Sequence, residues 1–385
     1  MNFQSVYFDN GATSFPKPPE VAEAIHTYVT QVGGNVGRGC YGSAFDAGEV
    51  VYETREMLAK FFDFPGTPEH VIFTKNITES LNVVIKGLLH PGDHVIVSSL
   101  EHNAVMRPLM SLADKQVTFS RIPCDEYGSL RLDELHKHVQ ANTKAVIMTH
   151  ASNVSGTVLE LQEVGVFCQQ YGLDFIIDTA QTAGSIPVSF QELNATILCF
   201  TGHKGLLGPQ GVGGFLIKQD AAKRLVPLVQ GGTGSLSEQE VHPLYMPDKF
   251  EAGTLNIPGI YGLWAGIKYF ERIGLASVTQ CEIEIVQRFL EKVAEIPTLK
   301  VIGTLNGEKK VPLVSLVCET VDHGELTHML YRDFGIMTRS GLHCAPNAHK
   351  AFGTFPDGTV RFSFSHYNTK AEIDYAVDVL HKIIK

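Results

Sequence analysis

The sequence predicts an α/β fold: a large domain with a mostly parallel sheet, followed by a smaller α+β domain. Three observations carry that prediction. Short, near-continuous apolar runs recur between His94 and Lys218, amphipathic segments separate them, and the texture changes after about Pro258. Strands that are apolar on both faces suit a sheet covered on both sides, and strand alternating with helix makes such a sheet parallel.

Along the chain, "VIFTKNITESLNVVI" reads as a strand leading into a helix. "HVIVSS" (94–99), "AVIMTH" (145–150), "FIIDT" (175–179), "ILCF" (197–200) and "GGFLIK" (213–218) read as buried strands. "RLDELHKHVQ" and "LQEVGVFCQQYG" carry helical spacing, the second with Gly172 as its C-cap. Beyond Pro258, "GIYGLWAGIKYFERIG" and a stretch from about Val278 to Ala294 predict two helices. Strands "VPLVSLVC" and "TVRFSFS" and a closing helix "KAEIDYAVDVLHKIIK" complete the chain. The expected division is 16–257 for the large domain and 258–385, joined by the N-terminal segment 1–15, for the small one.

Composition narrows the function classes. A 385-residue chain suggests about two domains, and 44% hydrophobic with 19% charged residues is globular composition. A formal net charge of −10 argues against nucleic acid or an anionic membrane as partner. The densest basic cluster, "GEKK" at Gly307–Lys310, reads as a turn. The 7 cysteines are scattered, odd in number and without a C-x-x-C pair, so neither a disulfide framework nor a zinc pattern is expected. With no secretory signal pattern and no membrane-length apolar run, a reduced cytosol is the expected compartment.

Two strand ends carry chemistry. Asp178 closes one apolar run and Lys204 lies just past the next, between Gly202 and Gly205. Alone, Asp178 could be a helix N-cap and Lys204 a solvated loop residue. Together on one rim they suit a Schiff-base lysine and an acid that keeps a pyridine nitrogen protonated. Thr201 and His203 beside the lysine could hold a phosphate, as could Thr78 at the start of its helix, although an ordinary N-cap explains Thr78 equally. Cys344 lies in "RSGLHCAPNAHK" between two histidines. It could be a metal ligand with His343 and His349, a disulfide half, a buried filler or a nucleophile. Cys168, Cys199 and Cys318 lie in apolar runs and read as small core residues.

Eight motifs occur in order over essentially the whole chain: "YFDNGATS", "EHNAV", "SNVSG", "DTAQTAG", "TGHKGLLGPQG", "FEAGT", "RSGLHCAP" and "VRFSFSHYNT". In these the chain resembles the class V aminotransferase family of fold type I pyridoxal-phosphate enzymes. Within that family it resembles the cysteine desulfurase and selenocysteine lyase group, nearest the branch with a short cysteine-bearing loop.

The resemblance implies pyridoxal 5'-phosphate as cofactor, with Lys204 as the Schiff-base lysine and Asp178 as the pyridine-nitrogen partner. Gln181 and Asn153 match positions around the ring hydroxyl and the substrate carboxylate. His102 matches the histidine that stacks on the ring and shuttles protons, a catalytic role. Thr78, Thr201 and His203 match phosphate contacts, and Thr254 matches a phosphate contact supplied by a second copy, which implies a homodimer. Arg361 matches the carboxylate clamp, a task suited to a planar guanidinium, and Arg339 is a second candidate near the same pocket.

The implied reaction takes sulfur from L-cysteine, leaving a persulfide on Cys344 and releasing alanine. An acceptor protein for sulfur or selenium is the implied partner. Such a thiol needs a mobile, partly exposed loop, and His343, His349 and Arg339 could lower its pKa. L-selenocysteine is the rival substrate, because selenolate leaves without obligatory attack by Cys344. An aminotransferase or β-lyase of the same family is a third reading, and a non-catalytic sulfur-relay scaffold a fourth. Cys40, in a glycine-rich stretch, is a further candidate thiol. Gly37, Ile77, Thr179 and Leu255 depart from the family pattern and bear on substrate and acceptor more than on cofactor.

Overall fold

The computed structural model describes residues 5–37 and 39–384. In chain order the strands are β1 (Val6–Tyr7), β2 (Val71–Thr74), β3 (His94–Ser98), β4 (Thr118–Ile122), β5 (Thr143–Thr149), β6 (Asp174–Asp178) and β7 (Ile197–Thr201). They continue as β8 (Gly213–Ile217), β9 (Leu299–Ile302), β10 (Leu313–Cys318), β11 (Ile336–Met337), β12 (Arg339–Gly341) and β13 (Thr359–Ser363).

Seven strands form the large sheet in the order β2-β8-β7-β6-β5-β3-β4. The five from β7 to β4 are parallel, while β8 runs antiparallel to both its neighbours. This is the mostly parallel α/β sheet that the apolar runs predict. Its strands feed two cores: Phe175 and Ile177 of β6 pack on one face and Ile176 on the other, with the two-residue alternation of a strand. A third core surrounds the four-stranded antiparallel sheet β12-β13-β10-β9, where Val360 and Phe362 meet Phe289 and Leu380 of the covering helices. Phe8 joins that core, and β1 pairs in parallel with β11, which ties the N-terminal segment to the C-terminal sheet. Residues 1–4 of that segment lie outside the described residues.

Local sequence explains the helix ends. Gly172 closes helix Leu161–Tyr171 in the left-handed conformation, φ 64°, and Leu161, Val164, Gly165 and Cys168 form its buried face. Helix Ile257–Ile273 starts behind Asn256, whose side chain accepts from Gly259 N, with Pro258 in its first turn. Thr369 and Glu372 form a reciprocal capping box ahead of helix Lys370–Ile383.

Two expectations are corrected, and the turn expected in "GEKK" is present but carries a buried lysine. "RLDELHKHVQ" forms a 3-10 helix over Leu132–His138 instead of an α-helix, because Leu135 alone of that stretch is buried and one apolar anchor cannot hold longer helical turns. The helix after β2 (Ile77–Leu88) is capped by Asn76, which accepts from Glu79 N, so Thr78 is exposed in its first turn and is not the cap. "GEKK" includes a turn of 3-10 helix, but Lys310 is buried, its Nζ donating to Ser155 O at 2.5 Å and Ile302 O at 3.4 Å.

Candidate active site

Parallel strands present their carboxyl ends on one rim, and four neighbours of the large sheet place chemistry there. Beyond β3 comes His102, beyond β5 Asn153, Asp178 ends β6, and Lys204 lies just past β7. Register brings the ends level: Thr149 pairs with Asp178, and Asp178 with Cys199. His150 N donates to Asp178 O at 2.8 Å, locking the two strand ends together.

Asp178 is buried, and its Oδ1 accepts from Ala180 N at 2.8 Å. Burial raises its pKa, opposed by that amide and by Lys204. Lys204 is half-buried, and desolvation, then Arg361, lower its amine to about 8. The loop that carries it is clamped from the N-terminus. His203 O accepts from Ser14 N at 3.0 Å, Thr13 Oγ1 at 3.1 Å and Lys17 Nζ at 3.2 Å. Gln181 Nε2 reaches the same segment, donating to Gly11 O at 3.2 Å.

His102 caps helix Asn103–Met110, its Nδ1 accepting from Ala104 N at 3.0 Å, which leaves its proton on Nε2. Burial, then Lys204 and Arg361, push it to about 4, so the ring is neutral near pH 7. Glu101, beside it, was not predicted as functional. It is buried, accepts from Ser98 Oγ at 2.5 Å and from Thr149 N at 3.0 and 3.1 Å, and is raised to about 8 chiefly by burial. It braces the ends of β3 and β5 that present His102 and Asn153.

The C-terminal sheet faces this rim with two arginines. Arg339 on β12 stands opposite Arg361 on β13. Arg361 is buried; its Nη1 donates to Asn153 O at 3.2 Å and its Nη2 to Asp9 Oδ1 at 3.2 Å. Arg339 is exposed and donates to Asp9 Oδ2 through Nη2 at 2.8 Å. Asp9 is a second residue missed as functional, although it sits in the motif "YFDNGATS".

The Cys344 loop is tied to the rim twice. Asn103 N donates to Cys344 O at 2.8 Å, and Asn153 Nδ2 donates to His343 O at 2.7 Å. His343 and Cys344 both hold left-handed backbone, φ 47° and 58°, a conformation that costs non-glycine residues energy and is tolerated where surroundings enforce it. Cys344 is an exposed thiol outside any disulfide, Cys40 is also exposed, and Cys168, Cys199 and Cys318 are buried. The expected help from the histidines is corrected. His343 Nε2 pairs with Thr359 Oγ1 at 3.1 Å and His349 Nδ1 with Thr354 Oγ1 at 2.7 Å. Burial holds both rings below the usual imidazole range, so neither supplies positive charge to the thiol near neutrality. Arg339 and Arg361 are the cations that interact with Cys344.

The donors present suit an anionic, ring-bearing group. Thr201 Oγ1, His203 Nδ1 and Arg361 Nε are buried without a hydrogen-bond partner, which a protein avoids unless a ligand completes them. Thr254 is exposed in a loop bordering a cavity of about 180 Å³ that Thr74, Lys75 and Glu79 also line, at the start of the helix bearing Thr78.

The chain belongs to the class V aminotransferase family, whose pattern it matches over residues 6–376. Its relatives within that family are named more narrowly. It is 33% identical to a probable cysteine desulfurase of Methanothermobacter thermautotrophicus, over 98% of this chain and 94% of that protein. It is 34% identical to another from Pyrococcus abyssi, over 99% and 94%. The apo structure of a cysteine desulfurase from Thermococcus onnurineus superposes with a TM-score of 0.92 at 34% identity, covering 99% of this chain and 94% of that one.

Proposed function

We propose that this chain is a pyridoxal-phosphate-dependent cysteine desulfurase that takes sulfur from L-cysteine onto Cys344 and releases L-alanine. The observation that carries the reading is the Asn103 N to Cys344 O bond, which holds an exposed thiol against the rim bearing Lys204 and Asp178. The names of the relatives point the same way.

When bound, pyridoxal phosphate supplies an electron sink for charge developing on the substrate. Thr201 and His203 would hold its phosphate, Asp178 its pyridine nitrogen and Lys204 its aldehyde carbon. Arg361 takes the substrate carboxylate, with its unpartnered Nε as a ready donor. Lys204, once free, moves protons as an amine tuned close to neutrality. The Cys344 thiolate attacks the substrate sulfur; an S–S bond forms, the C–S bond breaks, and carbon keeps the electron pair and is protonated to alanine.

The test measures alanine from L-cysteine and L-selenocysteine with wild type and Cys344→Ala. Loss of alanine from L-cysteine in the variant supports the reading. Undiminished release from L-cysteine overturns it, and turnover confined to L-selenocysteine assigns a lyase instead.

A further inference from the structure

Helix Leu275–Val293 buries a carboxyl to which the proposed reaction gives no role. Glu282 is 6% exposed, and the Ser185 hydroxyl and the His366 backbone amide are its polar neighbours. Its Oε2 is buried with no partner. A carboxyl that only braced the helix would need no free oxygen, and an unpaired buried polar atom is costly. Glu282 and Lys204 line the same narrow cavity of about 30 Å³, together with Asn10, Gln181 and Ser365. That volume holds a water, and the lining offers the polar partners that an ordered water needs.

We propose that Glu282 is a positioning residue for proton transfer: it and Lys204 hold a water between them, and through that water Glu282 lends Lys204 a proton. The inference rests on the reading of Lys204 as the proton-moving amine. In the step, the Glu282 O–H breaks as the water accepts that proton and passes one of its own to Lys204 Nζ. A carboxylate and an ammonium result, and the reverse transfer restores both. The opposite charges so created attract strongly in a poorly solvated cavity.

The surroundings keep the acid neutral until it is called on. Burial pushes the Glu282 pKa well above the ordinary carboxylate value. Lys204 lines the same cavity, and the Ser185 hydroxyl and the His366 backbone amide lie beside the carboxyl; the His366 ring, lowered to about 4 by burial, pairs through Nε2 with Tyr269 OH at 3.1 Å. On its own helix Cys281 points its Sγ to His366 O at 3.7 Å, and Lys17 lies behind the cavity wall on Ser14 Oγ at 2.8 Å. None of these is a cation paired with the free oxygen.

Glu282→Gln tests the proposal, since it keeps the size and the acceptor for Ser185 but has no proton to lend. In the holoenzyme we expect kcat to fall roughly tenfold with KM unchanged, and the wild-type pH profile to lose the limb owed to Glu282. Glu282→Asp should restore part of the rate. Independently of turnover, infrared spectra of wild type at neutral pH should show a buried protonated carboxyl band that Glu282→Gln lacks, and a high-resolution crystal structure should show a water in the cavity. Absence of the band or the water overturns the proposal. So does a Gln variant with unchanged kcat and pH profile, or one whose rate falls with the wild-type profile intact. A wild type that releases no alanine defeats the functional reading instead, while the band and the water still report on the cavity.

Discussion

Asp9 lies between Arg361 and Arg339, accepting from the first at 3.2 Å and the second at 2.8 Å. The two arginines are cross-strand partners, a placement in which like charges repel. Asp9, held beside Ser363 by a parallel bridge, relieves that repulsion and preorganises both guanidiniums. On the proposed reading, in which Arg361 takes the substrate carboxylate, Asp9 also competes with that carboxylate.

Replacing Asp9 with Asn should therefore have two opposed effects. The KM for L-cysteine falls several-fold as Arg361 is freed from an anion, while stability drops by about 1 kcal/mol as the two cations face each other unshielded. Steady-state kinetics and urea unfolding on the same preparation check both. A raised KM would show that Asp9 orients Arg361 more than it competes.

The amine of Lys204 reacts with an aldehyde only when neutral. Its lowered pKa puts half of it in that form at about pH 8, against about 10.4 for a free lysine. For the chain stripped of cofactor, the rate of pyridoxal-phosphate uptake should rise through about pH 8 and then level off, read by absorbance. Arg361→Met removes one source of the lowering, the nearby guanidinium charge, and should move the plateau to higher pH. A rate that climbs unbroken to pH 10 would contradict the burial argument.

Asn103 is the first residue of its helix, and His102 before it has extended backbone, φ −71° and ψ 156°. Proline fits both conditions. Asn103→Pro should keep the helix while deleting the N–H that holds Cys344 O. Losing about 1 kcal/mol of loop positioning lowers alanine release roughly fivefold without altering cofactor absorbance. Circular dichroism verifies the fold, and single-turnover assays measure the step.

The side chains of Arg55 and Glu251 form a buried pair, at 2.8 and 2.6 Å, and Glu251 also accepts from Phe73 N at 2.7 Å. The pair anchors the loop of Thr254 to β2. Arg55→Met leaves a buried carboxylate unpaired and should cost about 3–5 kcal/mol in denaturant unfolding.

Gly184 has φ 88°, and a Cβ there would lie 2.2 Å from Gly205 O. Gly184→Ala should force the "DTAQTAG" and "GHKG" segments apart and displace Lys204. Weakened pyridoxal-phosphate retention, measured by equilibrium dialysis, is the expected result, together with a lower melting temperature.

Much was legible in the linear chain. The apolar runs that predict β3, β5, β6, β7 and β8 are strands within a residue or two, because a strand buried on both faces carries its signal in its own composition. Gly172 marks a helix end for a local reason, the left-handed backbone. The positions of Lys204 and Asp178 at strand ends come from the same local pattern.

Other features depend on partners distant in the chain. Nothing in "GEKK" says that Lys310 is buried on Ser155 O, nor does "YFDNGATS" say that Asp9 joins two arginines some 330 and 352 residues away. His343 and His349 look like activators of Cys344 in sequence, yet packing turns them to threonines and holds them neutral. By itself the sequence determined the strands, the helix ends and the residue types the chemistry requires, since these rest on local propensity and periodicity. Tertiary structure alone decided charge state and pairing, for desolvation and ion contacts arise only when distant segments meet.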